Sequence, residues 1–207
     1  MGFSRIGLLI ASVLLCASVG WTQNHESSRI TVFVNDSVGV DRATWKYAEN
    51  YAAELFRASG IEIGWQNCRE TSACRRPPRL NEFVLHVVPD GRTGGDLVFG
   101  QAFLGSDGRG AYADVFFNRL RDAQANVSIA QLLGAICAHE LGHLLLGSHS
   151  HSLAGIMQPI WRQEALHRIA KGNLTFTPEQ KRMMKDRLRN ERLAVACMAG
   201  PGRLGLQ

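Results

Sequence analysis

Apolar residues follow two different spacings along this chain, and the changes between them predict alternating strands and helices. Short apolar runs bounded by Gly, Pro or Asp are typical of strands. They predict strands at 30–34, 61–65, 83–88 and 111–117, with a short one at 97–99 in the glycine-rich stretch 91–110. No internal repeat and no linker separates these elements, so the pattern indicates a single domain.

Three longer segments show helical spacing instead. The first is predicted over 42–58, directly after the N-cap residue Asp41. The second is apolar over 129–146 and stops at Gly147, and the third is basic and runs over 178–198 behind a capping box. A strand–helix–strand unit opens the domain, and further strands precede the second helix. This order predicts an α+β fold.

Composition and charge exclude some classes of protein without selecting an activity. The chain has 207 residues, of which 45% are hydrophobic and 20% are charged, as in ordinary globular proteins. This apolar content excludes a disordered chain. The net charge of +5 arises from 23 Lys and Arg against 18 Asp and Glu, spread along the chain. Such a small, dispersed excess predicts no nucleic-acid partner.

The start of the chain has the three regions of a secretory signal peptide. A short, positively charged start is followed by an uncharged apolar run over 6–19 and by small residues that end at Gly20. A transmembrane helix needs about 20 apolar residues, and this run is shorter. We therefore predict a signal peptide over 1–20 and a mature domain over 21–207. The mature protein is then secreted or periplasmic and has no membrane span.

Export would place the cysteines in an oxidising compartment, where disulfides persist. After cleavage near Gly20 an even number remains, which permits two bridges. Cys68 and Cys74 flank one polar loop and are predicted to pair with each other. Cys137 is either a small buried apolar residue or the partner of Cys197.

Candidate chemistry is concentrated in the second helix, in the run His139-Glu140-Leu141-Gly142-His143. Residues four apart lie on the same face of a helix, so the imidazoles of His139 and His143 can bind one metal ion. Glu140 lies beside that face and can reach a water at the metal, as a general base must. A buried helix does not accept two histidines and a glutamate without partners, so the run predicts a metal site.

This run resembles the signature of the metzincin clan of zinc endopeptidases, His-Glu-x-x-His-x-x-Gly-x-x-His followed by a Met-containing turn. His149 occupies the clan's third-histidine position, and Met157 lies in a segment similar to the Met-turn, with a matrixin-like spacing. The resemblance covers mainly residues 111–161. It implies a zincin-like domain with a mixed twisted sheet over the active-site helix, a Met-turn below the metal and a C-terminal helix. It also implies a Zn²⁺ cofactor, with Glu140 as the general base for a metal-activated water.

The position of the glycine differs from the clan's pattern and changes the expected third ligand. The clan has glycine where this chain has Leu146, and the glycine here is Gly147. One extra helical residue moves the helix exit by about 1.5 Å and turns it by about 100°. The returning segment then needs a further residue, which favours His151 and leaves His149 as the alternative ligand. The chain is also similar to a group of exported bacterial proteases with His-Glu-x-x-His-x-x-x-Gly-x-x-x-His, and that similarity again favours His151.

The resemblance implies an exported zinc endopeptidase that acts on a peptide or protein substrate. Strand 111–117 would be either the sheet edge that pairs with an extended substrate or an ordinary covered strand. Two other functions stay open, a metal-dependent endoribonuclease with a three-histidine site and a zinc-binding module without catalysis. The signal peptide disfavours the nuclease, and an intact Glu140 disfavours both alternatives.

The remaining histidines and the basic helix are predicted to be structural. His86 lies on a strand and His167 on a short helix, where each is expected to be hydrogen-bonded or solvated rather than a metal ligand. The basic segment over 181–192 also contains acidic residues, and we expect it to form a solvated helix face.

Overall fold

The computed structural model describes residues 28–91, 98–122, 126–149 and 151–199, and the predicted signal peptide lies outside these residues. Within them the chain forms one five-stranded sheet and several helices. The strands are β1 (Ser28–Asp36), β2 (Ile61–Asn67), β3 (Glu82–Val88), β4 (Gly100–Phe103) and β5 (Tyr112–Phe116). The α-helices are α1 (Arg42–Arg57), α2 (Phe117–Asp122), α3 (Ile129–Leu146), α4 (Gln163–Ala170) and α5 (Pro178–Ala199).

The sheet has the strand order β2-β1-β3-β5-β4. All neighbours run parallel except β4, which is antiparallel to β5 and forms one edge. Strands β1 and β2 are connected by α1 and pair with each other in parallel, as the predicted strand–helix–strand unit requires. Helices α1 and α3 pack against each other, and α3 also contacts β4 and β5. This arrangement confirms the predicted α+β single domain.

The prediction of a short strand at 97–99 is wrong. Residue 97 lies outside the described residues, positions 98 and 99 are not in a strand, and β4 begins at Gly100. The two residues of β4 that face inward are Gly100 and Ala102, whereas Gln101 and Phe103 are exposed. Two such small inward residues give almost no hydrophobic alternation, so the pattern did not reveal this strand.

The strand predicted at 111–117 is real but is not the edge of the sheet. The structure places β5 between β3 and β4, so the alternative in which it pairs directly with a substrate is wrong. Phe117 leaves the strand and begins the short helix α2. The exposed edge on this side belongs to β4.

Helices α1 and α3, which pack against each other, have the caps that the sequence predicts. The Asp41 carboxylate accepts hydrogen bonds from the backbone N–H groups of Ala43 and Thr44, at 3.1 and 2.9 Å. The Ser128 hydroxyl accepts from the N–H of Gln131 at 3.1 Å. These bonds satisfy N–H groups that the first turn of a helix leaves without partners.

Helix α3 runs through the core and is buried on nearly every side. Gly134 allows it to cross close to α1, because a Cβ there would lie 2.6 Å from the carbonyl oxygen of Ala48. The length and composition of α3 would allow it to cross a membrane, but most of the helix is covered by the rest of the domain. A helix packed in this way is a rigid support for the side chains that it carries.

The structure contains the predicted disulfide between Cys68 and Cys74. It closes a short loop that follows β2. The other two described cysteines do not pair, since Cys137 is buried and Cys197 is exposed, and both are free. Of the two alternatives for Cys137, the small buried residue is therefore the one observed.

Candidate metal centre

Two imidazoles from α3 converge at the cleft side of the helix. His139 and His143 are one turn apart, and their Nε2 atoms lie 3.1 Å from each other. Both residues are nearly inaccessible to solvent, with exposures of 8% and 5%. The predicted helical spacing thus brings the two nitrogens to one point.

Each of these rings is held from behind by a backbone carbonyl. Nδ1 of His139 is 2.8 Å from the carbonyl oxygen of Ile156, and Nδ1 of His143 is 2.8 Å from that of Ser148. A carbonyl oxygen only accepts, so each Nδ1 is the protonated nitrogen and donates. Each neutral ring then directs the lone pair of its Nε2 toward the other ring.

Burial also keeps both rings neutral. It lowers the pKa of His139 to about 3 and the pKa of His143 to about 4. Two neutral imidazoles with facing lone pairs at 3.1 Å are poor hydrogen-bond partners for each other. The same pair is well prepared to bind a cation, because both lone pairs are available without loss of a proton.

The third imidazole at this point belongs to His151. One ligand nitrogen from each of His139, His143 and His151 lies within 4.8 Å of the other two. The ring centroid of His151 is 5.4 Å from that of His139 and 4.9 Å from that of His143. Unlike the first two residues, His151 is exposed and lies in a loop.

His149 lies near this group but is not part of it. Its ring centroid is 6.1 Å from that of His143, and it lines the mouth of the same cleft. The helix ends at Gly147 with a left-handed backbone, at φ 67°, one residue later than in the clan's pattern. The helix thus includes the extra residue that the shifted glycine predicts, and His151 rather than His149 lies with the two helical histidines.

Glu140 lies beside the histidines, beneath the edge strand. Its exposure is 5%, and its carboxylate accepts a hydrogen bond from the backbone N–H of Ala102 in β4. A Cβ at Gly100 would lie 2.7 Å from the Glu140 side chain, so only glycine fits there. Burial raises the pKa of Glu140 to about 8, and the charge of Asp114 adds to this shift. The group can therefore exchange a proton near neutral pH.

The segment predicted to resemble a Met-turn passes directly under α3. Met157 is fully buried, and a Cβ at Gly142 would lie 2.6 Å from its Sδ atom. Gly142, between the two ligand-bearing positions, thus allows the sulfur to approach the helix. Met157 therefore packs directly against α3, between the positions of His139 and His143.

Sequence reasoning missed the role of Trp161. Its Nε1 donates to the carbonyl oxygen of Ile156 at 3.1 Å, the same oxygen that accepts from His139. Its ring meets the ring of His139 edge-on at 5.6 Å. The only signal in the sequence was an aromatic residue shortly after Met157, and no local rule connects such a residue to a histidine.

The three histidines and Glu140 open into a cleft of about 210 Å³. One wall is β4 with the two residues before it, another is α3 from Ile136 onward, and a third is the turn 158–161. Phe99, Ile136 and Trp161 make much of this lining apolar. A few polar groups in a mostly apolar cleft are typical of a binding site.

Three neutral imidazole nitrogens that face a cleft fit a divalent transition metal ion. Imidazole is a good ligand for several such ions, and an open side leaves room for water or a substrate. The two helical histidines also have the carbonyl partners that usually orient metal-binding rings. We conclude that the residues present can hold a metal ion at the centre of the group.

Two further sequence predictions can be compared with the structure. Nδ1 of His86 lies 3.2 Å from the Asp114 carboxylate on the neighbouring strand, which agrees with a structural histidine. The basic segment of α5 is not simply a solvated face, because Arg187 is largely covered. Its Nε contacts Glu191 at 3.0 Å, and its Nη1 donates to the carbonyl oxygen of Gly108 at 3.0 Å.

The strand order, the helix under the sheet and the three-histidine group together define the zincin-like fold. The solved structure of archaemetzincin from Methanopyrus kandleri is similar, with a TM-score of 0.50 and 14% sequence identity, over 82% of this chain and 99% of that chain. Myroilysin is a more distant match, with a TM-score of 0.34 and 15% identity, over 74% of this chain and 71% of that chain. No protein-family model matches the sequence, and neither does any curated protein sequence.

Proposed function

We propose that this protein is an exported zinc-dependent endopeptidase of the metzincin type, with a matrixin-like Met-turn. The observation that carries the proposal is the convergence of three imidazoles beside a buried glutamate, under an exposed edge strand. The fold shared with archaemetzincin supports the same class. None of the described histidines outside this cleft shows a comparable grouping.

His139, His143 and His151 would hold the zinc ion. Zinc with three protein ligands supplies Lewis-acid chemistry, since it polarises a carbonyl group and makes a water more acidic. The carbonyl oxygens of Ile156 and Ser148 hold the two helical rings in the tautomer that this role needs. His149 stays outside the ligand set in this proposal.

Glu140 would transfer the proton that hydrolysis requires. In the proposed reaction its carboxylate takes one proton from the water that adds to the peptide carbonyl carbon. It then delivers that proton to the amide nitrogen as the C–N bond breaks, so the free carboxylate is regenerated. Burial next to the histidines raises the pKa of Glu140 to about 8 in the metal-free site. The positive charge of a bound zinc ion would lower this pKa and favour the carboxylate that accepts the proton.

The substrate would bind as an extended peptide along β4. This strand is the edge of the described sheet, and its backbone lines the cleft directly over Glu140. Addition of a strand to an exposed sheet edge is a common way to bind peptides. Side chains of the peptide that point into the cleft would meet the apolar wall of Phe99, Ile136 and Trp161.

Export is part of the proposal and rests on the signal-peptide pattern of residues 1–20. The disulfide between Cys68 and Cys74 supports it, because disulfides persist mainly outside the cytosol. A secreted or periplasmic location would give the enzyme peptide or protein substrates outside the cytosol.

The test is to compare wild type with Glu140→Ala in zinc content and in cleavage of a broad peptide library. We expect both proteins to retain stoichiometric zinc, while the variant loses about 10²–10⁴-fold in turnover. Glu164→Ala, at an exposed position on α4, is the matched control and should behave as wild type. Equal turnover in Glu140→Ala would contradict the mechanism. Cleavage of RNA instead of peptides would favour the endoribonuclease, and zinc binding without any hydrolysis would favour the silent module.

A further inference from the structure

The third histidine lies on a loop segment rather than on a helix or a strand. We call residues 147–149 and 151–152 the ligand segment, which leaves α3 at Gly147 and carries His151. His151 is exposed, in contrast to His139 and His143. The position of a ligand on such a loop depends on what holds the two ends of the loop.

The first end of the ligand segment is hydrogen-bonded to the carbonyl oxygen of His143 in α3. It also packs against α5 and against the turn between β4 and β5. A Cβ at Gly147 would lie 1.9 Å from Nη1 of Arg187 and 2.9 Å from the carbonyl oxygen of Gly108. The same Nη1 donates to that carbonyl oxygen at 3.0 Å, and Nε of Arg187 is bonded to Glu191 at 3.0 Å. The guanidinium therefore occupies the space that a side chain at position 147 would need. The same group is hydrogen-bonded to the turn at Gly108.

Arg187 and Glu191 are both well covered, with side-chain exposures of 23% each. Arg189, two residues further along α5, is different, since it is 64% exposed and pairs with Asp186 on the same helix. The planar guanidinium with several donors suits a contact with a carboxylate and a carbonyl at once. A lysine ammonium could reach one of these acceptors, but it lacks the planar guanidinium whose separate N–H groups reach both.

The second end of the ligand segment is held by the first turn of α5. Gln180 is a buried polar residue, with an exposure of 8%, and its Nε2 donates to the Ser152 hydroxyl at 3.0 Å. Its Oε1 accepts from the N–H of Thr177 at 2.9 Å, which completes the capping box. The Ser152 hydroxyl in turn donates to the carbonyl oxygen of Ala154 at 2.7 Å, and the Ser152 N–H donates to the carbonyl oxygen of Met157 at 2.9 Å.

We propose that α5 is a positioning element for the metal centre, in which Arg187 and Gln180 fix the two ends of the ligand segment and so place His151. Neither residue lines the cleft, so both act through the segment rather than on substrate. The proposal rests on the proposed function only in that it takes His151 as a metal ligand. It also accounts for the shifted glycine, because only a residue without Cβ leaves room for Arg187 at position 147.

The experiment measures the dissociation constant for zinc in the full mature protein, by competition with a chromophoric chelator. Arg187→Ala removes the first contact. Gln180→Glu removes the donor to Ser152 while keeping the size of the side chain and the acceptor of the capping box. Their controls are Arg189→Ala and Glu179→Gln, which change exposed neighbours on the same helix. Residues behind metal ligands typically change metal affinity by about 10–100-fold, and we expect a loss of about 10-fold or more in each test variant.

A purely structural role for these contacts would give a different result. It would lower the melting temperature of the metal-free protein without changing the zinc affinity of the folded fraction. As a second readout, the visible absorption of the Co²⁺-substituted protein should change in the two test variants, because the third imidazole is displaced. It should be unchanged in both controls. If Arg187→Ala does not fold, Arg187→Lys takes its place and should bind zinc more weakly than wild type.

A zinc affinity in either test variant that equals that of its control overturns the proposal. This readout is independent of catalysis. A wild-type protein that binds zinc but cleaves no peptide would contradict the proposed function and leave the positioning result intact. A wild-type protein that binds no zinc would contradict both.

Discussion

The two sides of the metal centre are built in different ways. On the helix side, His139 and His143 are buried on one face of a core helix, and each Nδ1 donates a hydrogen bond to a carbonyl oxygen. On the loop side, His151 is exposed, and the ends of its segment pack against Arg187 and are hydrogen-bonded to Gln180. The comparison teaches that two of the proposed ligands, His139 and His143, are placed by local helical geometry, whereas the third, His151, lies on a loop between packed elements.

The largest effect is expected from the helix side. His143→Ala removes a proposed ligand from the buried helix side of the site. We expect the variant to purify without zinc and without activity. This loss of metal affinity is larger than the loss of about 10–100-fold that is typical when a residue behind a ligand is changed. Metal analysis of the purified protein checks this result. His167→Ala, an exposed histidine on α4, is the control and should retain zinc. Stoichiometric zinc in His143→Ala would remove the basis of the comparison.

The next largest effect separates the two histidines of the loop side. His151→Ala should lose zinc, because a catalytic site with three protein ligands has none to spare. His149→Ala should keep zinc, since its ring lies farther from the group. Zinc content and peptide turnover of the two variants give the answer. If His149→Ala is the variant that loses zinc, the shifted glycine does not move the ligand, and the loop side is assigned incorrectly.

A smaller effect is expected at the floor of the site, where the two sides meet. Gly142→Ala would place a Cβ 2.6 Å from Sδ of Met157 and 2.9 Å from the ring of Phe176. Overpacking of a core usually costs about 1–3 kcal/mol, and we expect that loss in the free energy of unfolding. Denaturant titration measures it. Gly64→Ala is the matched control, because its Cβ would have its nearest contact at 3.9 Å. Equal stability of the two variants would show that α3 and the Met157 segment do not pack closely.

The smallest effect concerns the carbonyl of Ile156, which links the two sides. Trp161→Phe keeps an aromatic ring next to His139 but replaces the indole by a smaller ring without the N–H that donates to that carbonyl. A lost hydrogen bond of this kind costs about 0.5–1.5 kcal/mol in stability. Zinc should remain bound, since His139 keeps its own bond to the same oxygen. Loss of zinc in Trp161→Phe would mean that the tryptophan, rather than the helix, positions His139.

The part of the site that the sequence predicts is the part set by local rules. Helical spacing brings His139 and His143 to one face and places Glu140 beside it, and the caps at Ser128 and Gly147 mark the limits of that helix. The strand–helix–strand unit is likewise visible, because its strands are apolar and its helix has a regular period. These features need only neighbours within a few residues.

The rest depends on contacts between residues far apart in the chain. The sequence pattern does not reveal strand β4, because its inward residues are the small Gly100 and Ala102. The need for glycine at position 100 becomes clear only from the fold, in which Glu140 packs against it. From the sequence alone, Arg187 is expected to be a solvated surface charge. In the structure it is hydrogen-bonded to the carbonyl oxygen of Gly108, which is far away along the chain. Charge patterns along a helix do not reveal which charges are covered by another element.

The account's central claim is that one metal ion is bound by His139, His143 and His151 and by no other side chain. X-ray absorption at the zinc edge of the zinc-loaded wild-type protein tests it most directly. The account predicts three imidazole nitrogens at about 2.0–2.1 Å, with the remaining coordination from water. A sulfur ligand, only two imidazoles, or a fourth imidazole from His149 would contradict it.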